Sequence, residues 1–196
     1  MTQFDAIPLA NVLKSHIRGE RIAQLTVASH SMSPLLNIGD IIGLQQIDPP
    51  AVRPGQIITF RDPNNPDGLL THRVAAVYGE GQDTPAVLTR GDRMLVFDRP
   101  LLKEDDLVGH VIWRVRNGRK LLLEEGSGAW LSRRLATISK IERRLISGES
   151  FDTLSLTPDG LTDANARIIS RRQSSYARAV RATGGAGSRI LAALIK

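Results

Sequence analysis

Residues 29–40 read S-H-S-M-S-P-L-L-N-I-G-D, and what flanks them decides the fold. On one side, residues 21–28 alternate Ile22, Gln24 and Thr26 against Ala23, Leu25 and Val27, which is the period of a strand. On the other, residues 41–47 form a second β-like run closed by Asp48-Pro49-Pro50. The quoted stretch is therefore a strand-to-strand connection, and loops carried on rigid strands are where reactive side chains are usually placed. Two hydroxyls, Ser29 and Ser31, flank His30. Met32, Leu35 and Leu36 supply apolar anchorage, while Pro34 and Gly39-Asp40 punctuate the turn. Small polar residues also favour turns for conformational reasons alone, so a purely structural connection competes with a reactive one.

Working outward, the same texture continues. Arg53-Pro54-Gly55 marks a turn before a strand at 57–60, residues 62–68 read as a loop, and 69–77 (L-L-T-H-R-V-A-A-V) returns as the second arm of a hairpin. A polar loop at 79–85 precedes a short strand at 86–89 that ends at Arg90-Gly91-Asp92. No periodicity is evident from there to Asp106. Residues 107–115 and 120–123 then pair across an Arg116-Asn117-Gly118-Arg119 turn. Short strands separated by Gly and Pro turns predict a mainly β, small antiparallel domain. Before it, 8–18 has the spacing of a short amphipathic helix with proline in its first turn. The expected organisation is an N-terminal helix at 1–20, a β domain at 21–125 and a basic helical region at 126–196.

Composition narrows the function classes. With 196 residues, 41% hydrophobic and 23% charged, the chain can bury a core. It has no cysteine, which excludes disulfides and thiolate metal sites. No apolar run approaches the ~18 residues needed to cross a bilayer, and the first residues lack the pattern of a secretory signal. The expected location is cytoplasmic or peripheral to a membrane. Net charge is +6, and the excess sits after Ser127, where twelve Lys and Arg face five Asp and Glu.

The pattern S-x-S-M-x-P followed by G-D resembles the nucleophile segment of the type I signal peptidases and of the wider clan that includes LexA-like self-cleaving repressors. The resemblance makes Ser31, directly before Met32, the nucleophile. A serine hydroxyl needs a base within hydrogen-bond reach. In the lysine branch of the clan that base lies on the middle hairpin in a segment ending K-R-V. Here the segment is Thr71-His72-Arg73-Val74, with no lysine between Lys14 and Lys103, so the chain resembles the histidine branch typified by the endoplasmic-reticulum signal peptidases. The resemblance also implies a Gly-Asp and a second aspartate, matched by Gly91-Asp92 and Asp98. Asp98 is the expected partner of His72, with Asp92 supporting the loop or sharing the role. Asp106-Leu107-Val108-Gly109 matches the D-x-V-G strand of the family. The implied oxyanion donors are the Ser31 backbone N–H and the Ser29 hydroxyl.

Together these imply a serine endopeptidase processing a signal or leader peptide, with an extended peptide or precursor protein as substrate, lying by strand addition on a sheet edge. No cofactor or metal is called for. His30 stands where the family most often has glycine and is read as a cleft-rim residue. His16 and His110 are read as helix-surface and strand residues. The other reading is a catalytically inactive or self-cleaving β module that binds a peptide or a regulatory partner.

The helix expected at 130–145 has three readings. It packs on the β domain with its Arg and Lys face in solvent, it lies at an anionic membrane surface with Trp130 at the boundary, or it contacts nucleic acid. The last is weakest, since aromatic residues are few and no helix-turn-helix precedes the domain. No nucleic-acid partner is expected.

Overall fold

The computed structural model describes residues 9–19, 21–78, 86–94, 97–98 and 100–147. Helix α1 (Leu9–Ile17) leads into β1 (Ala23–Thr26), the 29–40 connection and β2 (Ile41–Gln45). Then follow β3 (Ile57–Asp62), β4 (Asn65–Tyr78), β5 (Ala86–Arg90), β6 (Leu107–Arg116), β7 (Arg119–Leu122) and helix α2 (Gly126–Ser147). The seven strands form one antiparallel sheet in the order β1-β2-β6-β3-β4-β5, with β7 added to β6. The mainly β class expected from the sequence is the class observed.

Bulges let this sheet curl. The register slips between Gly43 and Leu44 where β2 meets β6, between Thr59 and Phe60 where β3 meets β6, and between Val74 and Ala76 where β4 meets β5. An extra residue on one side of a ladder bends the strand and increases its twist. The curled sheet encloses two apolar clusters. One gathers Met32, Leu35, Leu36, Ile42, Leu44 and Val111 under α1 and the start of α2, and the other gathers Val52, Ile58, Phe60, Val74, Val87 and Leu102. Residues on β4 alternate between them. Leu70 and Val74 join the second cluster, while Leu69 packs against the first.

Two boundaries differ from the sequence reading. The loop expected at 62–68 is mostly strand, because Asp62 pairs with Asn65 and its Oδ1 accepts the Asn64 N–H at 2.8 Å. An aspartate side chain that stands in for a backbone acceptor makes a tight turn of what the Pro and Gly content suggests is a long one. Helix α2 begins four residues before Trp130, at Gly126, and the Ala129 N–H donates to Glu125 O at 3.1 Å. Leu131 and Leu135 are buried in the first cluster while Arg133 and Arg134 are exposed. The Asn117-Gly118 turn has φ of 50° and 74°, the left-handed pair that a two-residue hairpin requires. Of the loop expected at 147–163, Ser147 is the last residue of α2; the rest of it, the helix expected at 164–181 and the break at 183–188 lie outside the described residues, as does the 79–85 loop.

Candidate active site

The connection carrying Ser31 is tied down at every side but one. At its neck the Val27 N–H donates to Asp40 O (2.8 Å) and the Gly39 N–H donates to Val27 O (2.9 Å). Inside it, the Leu36 N–H donates to Met32 O (3.0 Å), a helical turn that sends Met32, Leu35 and Leu36 into the core, each 2% exposed or less. Asp40, which the sequence marks only as a turn former, is buried and accepts from the Asn37 N–H (2.8 Å). It also takes a two-pronged ion pair from Arg116 on β6, Nε to Oδ1 at 2.8 Å and Nη2 to Oδ2 at 2.7 Å. Arg116 Nη2 donates further to Leu35 O (3.1 Å), so one side chain fastens the whole loop to the sheet. Beside it, burial first, and then the like charge of Arg116, presses the Arg114 guanidinium below its ordinary value, with Asp40 opposing. What stays half-exposed is Ser31, with Ser29 Oγ 3.1 Å from Ser31 Oγ.

His72 sits in the middle of β4 opposite Ile58, 6% exposed, with its ring inclined at 65° to that of Phe60 at a centroid distance of 6.0 Å. Its Nδ1 lies 2.7 Å from Asp98 Oδ2. That same oxygen accepts the Thr89 hydroxyl at 2.7 Å, and the Asp98 N–H donates back to Thr89 O at 3.0 Å. Thr89 lies opposite Val74 on β5, so the carboxylate is fixed by the strand beside the histidine. A carboxylate only accepts, which puts the imidazole proton on Nδ1 and leaves Nε2 as the free acceptor.

Asp92 has a different partner. Both its oxygens receive Arg73, Nε to Oδ1 and Nη2 to Oδ2 at 2.8 Å each, and the pair is almost wholly buried, 4% and 5% exposed at the side chains. Because neighbours on a strand face opposite ways, His72 and Arg73 each need their own carboxylate. The sequence order Asp92, Asp98 is thus divided between them.

The turn that carries Asp92 also backs the serine. The Arg93 N–H donates to Ser31 O at 2.8 Å, and a Cβ on Gly91 would stand 2.9 Å from Ser31 O and 3.1 Å from Ser31 Cβ. Gly91 follows Arg90, which pairs with Arg73, the neighbour of His72. The register therefore brings the Ser31 loop to the same end of the β4–β5 ladder as His72 and Asp98.

Sequence reasoning missed Thr89, Gly91 as a close-approach glycine, and the two arginine clamps. One signal was available for Arg73. A His-Arg pair inside an apolar strand must send one polar group to each face, and each then requires a buried partner. His110 lies on β6 with Nε2 3.0 Å from Glu124 Oε1, apart from this cluster. A cavity of about 510 Å³ between α2 and the sheet is lined by His110 and Ser132 among others, and by none of Ser29, Ser31, His72 or Asp98. Among the described residues no helix is long and apolar enough to cross a membrane.

The family described as signal peptidase, peptidase S26, matches residues 2–112. The signal peptidase complex catalytic subunits SEC11C of Homo sapiens, Mus musculus and Canis lupus familiaris are each 32% identical over 88 residues. That stretch is 45% of this chain and 45% of each relative, so the alignment spans about half the length of either.

Proposed function

The chain belongs to the signal peptidase S26 family, and from that premise we propose that it is a serine endopeptidase that cleaves a signal or leader peptide from a precursor through Ser31, His72 and Asp98. The observation that carries the reading is the His72 Nδ1 to Asp98 Oδ2 bond of 2.7 Å, on a strand whose neighbour leads directly into the turn supporting Ser31. The acid orients the imidazole so that Nε2 accepts the Ser31 proton. Ser31 Oγ then attacks the peptide carbonyl carbon, and its oxygen becomes an oxyanion. When the C–N bond breaks, Nε2 returns the proton to the leaving amine and the acyl group remains on Ser31. Water attacks next and gives a proton to the same nitrogen. As the bond from the acyl carbon to Ser31 Oγ breaks, Nε2 returns that proton to Oγ and the new carboxyl end leaves.

The oxyanion needs donors at the moment charge develops. The Ser31 N–H and the Ser29 hydroxyl are assigned that role, and one such donor is worth about 3 kcal/mol in the transition state. Ser29 suits it because its Oγ is already 3.1 Å from the attacking oxygen. Asp92, bound on both oxygens by Arg73, is assigned support of the loop rather than the third place in the triad.

The test is incubation of wild type, Ser31→Ala and His72→Ala with a fluorophosphonate, read by intact mass. The reading expects one adduct on wild type, none on Ser31→Ala and a severely slowed one on His72→Ala. A folded wild type with no adduct at any pH would return the chain to the class of peptide-binding β modules.

A further inference from the structure

Arg73 does more than neutralise Asp92. Four of the five N–H groups of its guanidinium have partners: two on Asp92, and Nη1 donating to Gly55 O at 2.8 Å and to Ser132 Oγ at 2.7 Å. Ser132 lies on α2, beyond the residues 2–112 that the family model covers. It is 59 positions from Arg73 in the chain and its contact is buried. A hydroxyl is an unusual choice at a helix position facing the core, between Leu131 and Leu135, which are both buried in the first cluster. The sheet face beneath α2 is not filled there, since Ser132 also borders the cavity of about 510 Å³. On that side the helix is joined to β4 by a polar contact.

The contact leads by short steps to the serine. Ser132 fixes one end of a rigid planar guanidinium, whose other end holds Asp92. Asp92 sits in the turn whose next residue, Arg93, donates its N–H to Ser31 O at 2.8 Å. Gly91, on the other side of Asp92, lies against Ser31 so closely that no side chain fits. A displaced guanidinium would move this turn, and the turn has no slack against the loop. We propose that Ser132 is a positioning residue through which helix α2 holds the Ser31 loop in its reactive arrangement. The proposal rests on the peptidase reading above in taking Ser31 as the reactive group.

The experiment uses the full chain as wild type, Ser132→Ala and Ser132→Thr, well below their melting temperatures, with two readouts. Amide hydrogen exchange follows the Arg93 N–H and, as an internal reference, the β2 amides. Fluorophosphonate labelling of Ser31 follows reactivity. In Ser132→Ala we expect Arg93 to exchange about tenfold faster with β2 unchanged, and Ser31 to label about tenfold more slowly, the scale of one lost hydrogen bond to a charged group. Ser132→Thr keeps the hydroxyl and restores both. If Ser132→Ala does not fold, Ser132→Cys takes its place, with a similar volume and a weak acceptor.

Unchanged exchange at Arg93 overturns the proposal whether or not wild type labels. Faster exchange with unchanged labelling overturns it as well, because the contact would then be structural only. Faster exchange in a chain whose wild type never labels supports the physical link and overturns instead the assignment of Ser31 as nucleophile.

Discussion

Removing the carboxylate of Asp98 separates the proposed triad from every structural account of the same residues. In Asp98→Ala, His72 Nδ1 and the Thr89 hydroxyl both lose the oxygen they share at 2.7 Å. The imidazole is then free to carry its proton on either nitrogen and to turn in its pocket. Truncating the acid of such a triad costs about 10⁴-fold in turnover, and that is the loss expected here. Asp98→Asn is milder because one oxygen, Oδ2, accepts both bonds. An amide carbonyl in its place keeps both partners and the tautomer, and only the charge facing the imidazolium is lost. Hydrogen bonds to charged groups exceed neutral ones by about 1–2 kcal/mol, and the developing imidazolium raises this, so about 10²-fold is expected. The assay is the second-order rate of fluorophosphonate labelling at Ser31, with circular dichroism and a melt to confirm the fold. Asp98→Ala labelling within about threefold of wild type would refute the assignment, and equal losses in the two variants would refute the argument from the shared oxygen.

Other expected outcomes follow from the same geometry. Ser29→Ala should slow labelling by about 10²-fold with little change in stability, since the exposed hydroxyl lies 3.1 Å from Ser31 Oγ and one oxyanion donor is worth about 3 kcal/mol; the labelling rate beside a melt separates the two. Gly91→Ala places a methyl 2.9 Å from Ser31 O, and overpacking against backbone costs about 1–3 kcal/mol, so urea unfolding should shift down and labelling should fall at least about tenfold. Asp92→Ala leaves the buried Arg73 without its counter-ion. It should lose about 3–5 kcal/mol by urea titration, a larger stability loss than Asp98→Ala, whose partner is a histidine that can be neutral.

How much of this was legible in the sequence depends on whether the deciding contact was local. The strands around residues 29–40, the Asn117-Gly118 turn and the short helix before β1 rest on periodicity and turn chemistry, which a linear reading sees. The 62–68 segment did not, because one side-chain bond from Asp62 to the Asn64 N–H outweighs its Pro and Gly content. In the candidate site, Ser31, His72 and two aspartates were visible as residue types in order. The family resemblance pointed to Asp98 as the partner of His72, but the residue types alone left Asp92 open, since the choice depends on the β4–β5 register, which places Thr89 beside Val74. Asp40 was read as a turn former, and it is one, with its N–H donating to Asn37 O at 3.0 Å. Its second role, holding Arg116 across 76 positions of chain, has no local signature. Ser132 is similar. A serine between two buried leucines on a helix could be seen, but its partner could be named only from the fold.

The most direct test of the central claim is cleavage itself. Wild type and Ser31→Ala, both shown to be folded, are incubated with a library of peptides derived from precursor-protein N-termini, and new N-termini are read by mass spectrometry. The account predicts that new ends accumulate with wild type, beyond its own molar amount, and are absent with Ser31→Ala. The same ends appearing with both proteins, or none with a wild type whose Ser31 accepts no phosphonate, would contradict it.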